Sequence, residues 1–359
     1  MTASPSASSS RPGPTNTLTD VAGLRVGHHH RVGGGWLTGT TVVLAPPDGA
    51  VGGVDVRGGG PGTRETDLLD PRNLVERAHA IVLSGGSAYG LAAATGVMER
   101  LADAGIGFPV GAGQGQVVPI VPGAVIFDLG RGGDFRATPG AEFGAAAYDA
   151  ASDGPVPLGT VGAGAGAVAG GLKGGVGSAS AVLDDGSTVA ALAVVNAVGS
   201  TVDPGSGELY GARFGLPGEF DGLRVPDEAE RAAALAASEV LAAAAGRGAG
   251  EPFHTTIGVV ATDVALTKAQ CQKLAGIGHD GMARAIRPVH SMFDGDTVFA
   301  LATGERPGPD PAAFNDLLAA AADVFTRAVV HGMLAATGAG GYRAYADVFP
   351  SAVRAWRRP

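Results

Sequence analysis

Hydrophobic positions along the chain fall into short β-branched runs bounded by glycine and into a few longer stretches with helical spacing. The short runs predict strands at residues 18–27, 39–45, 80–84, 188–198, from 255 onward, and 297–303. Residues 117–129 carry Pro119 and Pro122, and so fit only an edge or irregular strand. The longer stretches predict helices at about residues 85–104, 227–245, 267–285 and 311–336. No repeat or clean linker divides the pattern, so we expect residues 18–359 to form a single domain.

Composition narrows the class of protein. The 61 glycines follow no collagen period and sit among Val, Ala and Ile runs, so they mark tight turns and close backbone contacts. A net charge of −9 argues against binding to nucleic acid or to an anionic membrane, and no apolar run is expected to span a bilayer. Cys271 is the only cysteine, which rules out an internal disulfide and favours a reducing compartment. Residues 1–17 are expected to be a disordered tail, and the protein is expected to be soluble and cytoplasmic.

A pair of threonines, Thr255 and Thr256, stands at the mouth of a short apolar strand. Residues 242–250 before it are small and flexible, and Pro252 ends any helix ahead of the strand. If the chain cut itself before Thr255, the new terminal amine would lie beside the threonine hydroxyl, which is a known way to activate a weak alcohol nucleophile. The alternative is that both threonines are there only for their β-propensity.

Three other places carry polar side chains in unusual surroundings. Lys173 is the only charge in the glycine-dense residues 159–177, and it is either a solvated tip or a charge aimed into a pocket. Asn196 interrupts an apolar strand, and it is either a structural clamp or an oxyanion donor. Asp294 and Asp296 flank a glycine, which indicates either a turn or paired carboxylates that orient and charge an amine.

Glycine loops and a histidine run leave further alternatives open. Residues 52–66 form a charged glycine loop that either approaches a ligand or neighbouring subunit, or is a packed crossover. Residues 80–104 read as strand, glycine turn and helix, but they lack the nucleotide-binding patterns. That helix N-terminus could still hold a substrate carboxylate or an oxyanion. The three histidines at residues 28–30 point to alternate faces, so we expect a solvated turn rather than a metal site.

Seven segments in order give the chain a family resemblance. They are GGGPGTRETDLLDP (58–71), LSGGSAYGLAAATGVM (83–98), VVPIVPGAVIFDL (117–129), LKGGVGSAS (172–180), VVNAVG (194–199), TTIGVVATD (255–263) and DGDTVFALAT (294–303). With these segments the chain resembles the DmpA/NylC family of self-processing N-terminal-nucleophile hydrolases, over about residues 18–349. The family includes L-aminopeptidase/D-esterases, β-aminopeptidases and nylon-oligomer hydrolases.

The resemblance implies a fold and a set of site residues. The fold is a four-layer αββα sandwich, of a type also resembling ornithine acetyltransferases. Thr255 would be the nucleophile, released by cleavage after His254 into an α chain of residues 1–254 and a β chain of residues 255–359. The side chains implied to line the site are Lys173, Asn196 as oxyanion donor, Asp294 and Asp296. His254 stands where similar relatives have asparagine and others glycine.

The implied activity is hydrolysis of amide or ester bonds in short peptides, amino-acid amides or oligoamides, through an acyl-enzyme on Thr255. No cofactor and no metal is expected, and the αβ units are expected to assemble as homo-oligomers. Two alternatives remain at this point. One is an acyltransferase of the ornithine-acetyltransferase type, in which an amine rather than water resolves the acyl-enzyme. The other is an unprocessed, non-catalytic binding protein on the same fold.

Overall fold

The computed structural model describes residues 10–113, 115–245 and 253–357. Its strands are β1 (Arg25–Gly33), β2 (Trp36–Leu44), β3 (Ala50–Val56), β4 (Thr63–Arg64), β5 (Arg77–Ala78), β6 (Ala80–Ser84), β7 (Phe108–Pro109), β8 (Val117–Val118), β9 (Gly123–Val125), β10 (Val168–Ala169), β11 (Leu172–Lys173), β12 (Val176–Val182), β13 (Thr188–Val194), β14 (Ile257–Val264) and β15 (Thr297–Arg306). Its helices are α1 (Ala93–Asp103), α2 (Ala141–Asp149), α3 (Glu228–Ala245), α4 (Lys268–Ala285), α5 (Pro311–Ala335), α6 (Tyr345–Val348) and α7 (Pro350–Val353).

Two β-sheets form the centre of the domain. One has five strands in the order β1-β2-β6-β9-β4, and the other has six in the order β12-β13-β14-β15-β3-β5. Within the larger sheet, β14 runs antiparallel to β13 and parallel to β15. Because β14 is flanked on both edges and its residues are almost all buried, the polypeptide just before it is held at a fixed place at the end of the sheet.

Apolar side chains hold the layers together. Val43 and Leu83 of the smaller sheet share a core with Leu192, Val259 and Phe299 of the larger sheet. The outer face of the larger sheet packs against α4 and α5, and the outer face of the smaller sheet packs against α1 and α2. The layers therefore run helix, sheet, sheet, helix, and the predicted four-layer αββα sandwich is confirmed.

The prediction of a solvated turn at the three adjacent histidines is wrong. Residues 28–30 lie inside β1 and not in a turn, because β1 pairs with β2 as far as Gly33 opposite Trp36. The reversal falls instead at the glycines that follow, where positive φ angles are available without strain. His28 faces the domain, where its Nδ1 lies 2.9 Å from Thr41 Oγ1, and burial lowers its pKa to about 4.

The N-terminal segment also differs from expectation, since residues 11–17 lie on the domain and not in a tail. Arg11 and Val182 exchange backbone hydrogen bonds at the edge of β12. Asn16 Oδ1 accepts hydrogen bonds from Arg327 Nη2 at 2.7 Å and from Ser180 N at 3.0 Å. Polar side chains make this attachment, so a composition poor in apolar residues does not reveal it. The rest of the predicted tail, residues 1–9, lies outside the described residues.

Helix α5 is the longest helix of the described residues. By length and composition alone it is long and apolar enough to cross a bilayer, contrary to the sequence expectation. Most of it is buried inside the domain, where Phe325 and Met333 pack on the larger sheet. The central helix of a globular core has the same composition.

Candidate active site

Thr255 lies at the entrance to β14 and is 4% exposed. Its backbone N–H donates to the carbonyl oxygen of Asn196 at 2.9 Å, and its hydroxyl donates to the carbonyl oxygen of His254. The hydroxyl of Thr256 donates instead to the Asn196 carbonyl at 3.1 Å. The two threonines of the pair are therefore not equivalent, because only the Thr255 hydroxyl contacts the carbonyl group of the His254–Thr255 bond.

The carbonyl oxygen of His254 accepts a second hydrogen bond. Gly295 N–H donates to this oxygen at 3.2 Å, and His254 N–H donates to Phe293 O at 3.0 Å. A Cβ atom on Gly295 would lie 2.7 Å from Thr255 Oγ1, so only glycine lets this loop approach the hydroxyl so closely. A hydroxyl, a carbonyl group and a backbone donor thus meet at one peptide bond, as acyl transfer requires.

Asn196 follows the end of β13 and is fully buried. Its Oδ1 accepts hydrogen bonds from Val168 N at 3.0 Å and from Arg131 Nη1 at 2.5 Å. These two donors fix which end of the amide is the oxygen. Its Nδ2 makes only a long contact, 3.4 Å, with Phe127 O, and so retains the capacity to donate to another acceptor. Asn196 is therefore a structural clamp, and its Nδ2 keeps the capacity that the oxyanion-donor interpretation requires.

Arg131 is a site residue that sequence reasoning missed. Its Nη1 donates to Gly166 O at 2.7 Å as well as to Asn196, and burial lowers its pKa. The local signal was available, because Arg131 is a single cation beside glycines, as Lys173 is. Its role nevertheless depends on a contact with Asn196, 65 positions away in the sequence. A contact at that separation cannot be predicted from the local sequence pattern.

Lys173 is fully buried, so the solvated-tip interpretation is wrong. Its Nζ donates to the carbonyl oxygens of Gly164, Ala167 and Gly174 at 2.7–2.9 Å. Burial, together with the nearby charge of Arg131, lowers its pKa to about 7. These contacts hold the loop that presents the Val168 N–H to Asn196. Lys173 is thereby joined to Thr255 through the loop and Asn196, without a direct hydrogen bond between the two among the described residues.

The glycine turn before α1 has an internal partner. Asp128 is buried, and its Oδ1 accepts the Gly86 N–H at 2.6 Å. Burial raises the pKa of Asp128. The backbone donor considered for a substrate carboxylate is therefore already taken by a carboxyl group of the protein itself.

Asp294 and Asp296 are both buried and flank Gly295, whose N–H binds the carbonyl oxygen of His254. Asp294 accepts hydrogen bonds from Val198 N at 3.2 Å and from Ser291 Oγ at 2.5 Å. Asp296 accepts Thr256 N–H at 2.8 Å through Oδ1 and His290 Nδ1 at 2.8 Å through Oδ2. Burial raises the pKa of Asp294, and the charge of Asp296 adds to the effect. The pair is thus more than a surface turn.

The charged glycine loop packs directly on this pair of acids. Gly60 N–H donates to Asp294 O at 2.9 Å, and Gly58 N–H donates to Asp296 O at 3.2 Å. A Cβ atom on Gly58 would lie 2.2 Å from Asp296 N, so the close packing requires glycine there. Of the two interpretations of residues 52–66, the packed crossover fits residues 58–60.

An apolar rim, formed by Phe127, Phe253 and Phe293, lies beside His254. The ring of Phe253 lies 5.8 Å from the ring of Phe127 and 6.0 Å from that of Phe293, between ring centroids. Phe253 is 50% exposed and Phe293 is 38% exposed. Exposed aromatic rings beside a buried hydroxyl form a surface suited to the apolar part of a ligand. No group of three or more His, Cys, Asp or Glu positioned to hold a metal ion occurs within the described residues.

Solved structures share this architecture. A β-aminopeptidase of Burkholderia sp. aligns over 98% of this chain and 97% of its own, with a TM-score of 0.69 and 24% identity. The L-aminopeptidase D-Ala-esterase/amidase of Ochrobactrum anthropi aligns over 97% and 96%, with a TM-score of 0.69 and 19% identity. At these identities the likeness establishes the fold, which for the Ochrobactrum anthropi enzyme is described as a variant of the Ntn hydrolase fold.

Sequence relatives and a family profile identify the protein family of the chain. An uncharacterised aminopeptidase of Mycobacterium tuberculosis is 52% identical over 94% of this chain and 99% of its own length. A 6-aminohexanoate-oligomer endohydrolase of Kocuria sp. is 32% identical over 80% of this chain and 74% of its own length. The profile of Peptidase family S58 matches residues 16–346. The predicted resemblance is therefore confirmed: the chain belongs to Peptidase family S58, the DmpA/NylC family, and its class is that of hydrolases of peptide or amide bonds.

Proposed function

We propose that the chain cleaves itself between His254 and Thr255, and that the released Thr255 is the nucleophile of an amide hydrolase. The observation that carries the proposal is the contact of the Thr255 hydroxyl with the carbonyl group of its own preceding residue. The N–H of Gly295 on that carbonyl group and the buried acids beside it support the same assignment. Thr256 offers no comparable arrangement, because its hydroxyl is bonded to Asn196 O.

In the first step, Thr255 Oγ1 adds to the carbonyl carbon of His254, and the hydroxyl proton passes to the departing amide nitrogen. The C–N bond breaks as the ester C–O bond forms, so the acyl group moves from nitrogen to oxygen. Gly295 N–H is placed to stabilise the oxyanion that develops on His254 O. Water then hydrolyses the ester, leaving a carboxylate on His254 and a terminal amine on Thr255. The products have masses of about 25 and 10 kDa in proportion to length.

In the mature enzyme, the Thr255 amine takes the proton of its own hydroxyl as Oγ1 attacks a substrate amide or ester. Asn196 Nδ2 donates to the tetrahedral oxyanion, a contribution of about 3–4 kcal/mol at comparable sites. The amine then returns the proton to the leaving group, and water hydrolyses the acyl-enzyme. Asp294 and Asp296 balance the charge of the protonated amine. The β-branch of threonine restricts its χ1 angle and so holds Oγ1 in line.

We assign the substrate class as short peptides, amino-acid amides or oligoamides. The apolar rim supports an acyl part with aliphatic or aromatic character. Two relatives are named as an aminopeptidase and as a 6-aminohexanoate-oligomer endohydrolase, and both names describe enzymes that cut amide bonds. Assembly of the αβ units into homo-oligomers and a cytoplasmic location remain part of the proposal.

The test compares the two threonines. Purified wild-type protein is expected to give two bands on a denaturing gel, with the smaller fragment beginning at Thr255 by N-terminal sequencing. Thr255→Ala should stay full length and inactive, and Thr256→Ala should still be cut at the same bond. Thr255→Ser keeps a hydroxyl and should also be cut. Processing of Thr255→Ala, or brisk amide hydrolysis by an uncut chain, would overturn the proposal.

A further inference from the structure

A cavity of about 580 Å³ lies between α3, the segment after Asn196 and the segment before α6. It does not include Thr255 among its lining residues. Three arginines line it, namely Arg231, Arg287 and Arg343. They come from three separate parts of the chain, so the folded structure and not local sequence concentrates the positive charge there.

Within the described part of the chain, none of the three guanidinium groups lies within 4.0 Å of a carboxylate. Arg231 Nη1 donates to Gly205 O at 3.2 Å, while its buried Nε has no partner among the described residues. Arg287 lies over the ring of Tyr210, 5.4 Å from its centroid, and Arg343 Nη2 donates to Asp347 O. The guanidinium groups thus keep donors and charge available for an anion.

Asp203 is the one acidic residue among those described around the cavity, and it is already engaged. Its Oδ1 accepts hydrogen bonds from Gly205 N at 2.8 Å and from Ser206 N at 3.1 Å. The remaining wall is largely apolar and includes Leu172, Ala234 and Phe349. A concave, mostly apolar surface with a few convergent polar groups is typical of a small-molecule site, and its volume is within the usual range.

The cavity is connected to the candidate active site by short stretches of backbone. Ser200, which lines it, is four residues after Asn196, so the two Cα atoms are at most about 14 Å apart. Leu172, which also lines the cavity, pairs with Ala169, the neighbour of the Val168 that binds Asn196 Oδ1. An extended segment of up to about four residues is therefore long enough to reach from Asn196 to the cavity.

We propose that this cavity binds the terminal carboxylate of a short substrate whose scissile amide lies at Thr255. This inference rests on the proposed function. It extends that function by specifying the terminal carboxylate and the length of the substrate. Charge-assisted hydrogen bonds from the arginines recognise the carboxylate, and the apolar wall accommodates the chain that leads to it. A C-terminal amide of the same length offers the arginines no charge and binds more weakly.

The experiment uses processed wild-type protein and matched substrates. Tetra-alanine and the linear trimer of 6-aminohexanoate are each prepared as the free acid and as the C-terminal amide. The free acid is expected to have a KM at least about tenfold below that of its amide, with similar kcat, because the contact lies away from the reacting atoms. Equal KM values for acid and amide would overturn the inference and leave the proposed function standing.

Variants then locate the effect. Arg287→Ala and Arg343→Ala are each expected to raise the KM of the acid about tenfold and to leave that of the amide unchanged. Arg343→Lys keeps the charge and should lose less, which guards against a folding defect. Arg25→Ala removes an exposed arginine of β1 outside the cavity and should change neither KM. Loss of the preference in Arg25→Ala, or its survival in both alanine variants, would contradict the proposal. Processed protein that cuts none of the four substrates would count against the proposed function, and the inference would fall with it.

Discussion

The backbone N–H of Gly295 donates to the carbonyl oxygen of His254 at 3.2 Å, on the peptide bond whose carbonyl group the Thr255 hydroxyl also contacts. Gly295 lies between Asp294 and Asp296, and both side chains are anchored to backbone N–H groups near Thr255, those of Val198 and Thr256. The loop that supplies the carboxylates is therefore the same loop that polarises the carbonyl group. A single rigid element can serve self-cleavage and then the mature site.

Gly295→Ala should slow self-cleavage strongly. Its Cβ atom would lie 2.7 Å from Thr255 Oγ1 and 2.8 Å from Gly60 O, so the hydroxyl or the loop must move. A displacement near 1 Å at reacting atoms can cost about 100-fold in rate. The cut fraction is measured on denaturing gels over time. Gly60→Ala is the matched control, because its Cβ atom meets nothing closer than 3.9 Å, and cleavage of both variants at the wild-type rate would contradict the assignment.

Asn196→Asp should separate the two roles of the Asn196 amide. Aspartate can still accept hydrogen bonds from Val168 N and Arg131 Nη1, so its loss of thermal stability should be smaller than that of Asn196→Ala. It has no N–H to donate, and kcat of the processed fraction should fall about 100- to 1,000-fold. Asn196→Ala should also lose stability, since it leaves buried donors unsatisfied at about 1–3 kcal/mol each. A wild-type kcat in Asn196→Asp would remove Asn196 from the mechanism.

Arg131→Met should lower kcat through Asn196, with little change in KM. The guanidinium group fixes the Asn196 amide from 2.5 Å, and without it we expect roughly a tenfold loss as the donor becomes less well placed. A double variant tests the route. In an Asn196→Asp background there is no donor left to orient, so adding Arg131→Met should cost no further kcat. Independent, additive losses would show that Arg131 acts by another path.

Lys173 should give stability a pH dependence. Its pKa is about 7 in the folded chain against an ordinary 10.5, because burial disfavours the charged form. Between these values the unfolded chain binds the proton and the folded chain does not. The free energy of unfolding therefore gains up to about 1.4 kcal/mol per pH unit as pH rises from 7 towards 10.5, and this contribution is flat below 7. Lys173→Met should lack this slope. Urea unfolding of both proteins at pH 7, 8 and 9 measures it, and identical slopes would contradict the prediction.

Much of the fold follows from local pattern. The strand predicted at residues 80–84 is β6, and the helix predicted at residues 267–285 is α4, whose N-cap Thr267 accepts the Gln270 N–H through Oγ1. These elements can be predicted from the sequence because the periodicity of apolar residues and helix capping both act within a few residues. The histidines of β1 were misplaced because the glycines after them suggested an earlier turn. Strand pairing with β2 overrides that local signal.

Only part of the candidate active site can be predicted from the sequence. The resemblance supplied Thr255, Lys173, Asn196 and the two acids. Backbone hydrogen bonds place Asn196 and the two acids next to residues 254–256, whereas Lys173 Nζ binds carbonyl oxygens of its own loop. Lys173 acts through hydrogen bonds to three carbonyl oxygens of a folded loop. The spacing of residues in the sequence does not predict such an arrangement. Arg131 likewise becomes meaningful only when a distant segment places Asn196 beside it. Long-range packing, and not side-chain type, decides both cases.

The strand order of the larger sheet determines how the two products of self-cleavage would hold together. Upstream residues provide β12, β13, β3 and β5, and downstream residues provide β14 and β15, which are inserted between β13 and β3. A cut at residue 254 would therefore leave two interleaved polypeptides joined by ladders on both sides. Neither piece would retain the complete six-stranded sheet alone, so each would need the other to form it. Maturation would then be silent in gel filtration, and the pair would denature as one unit.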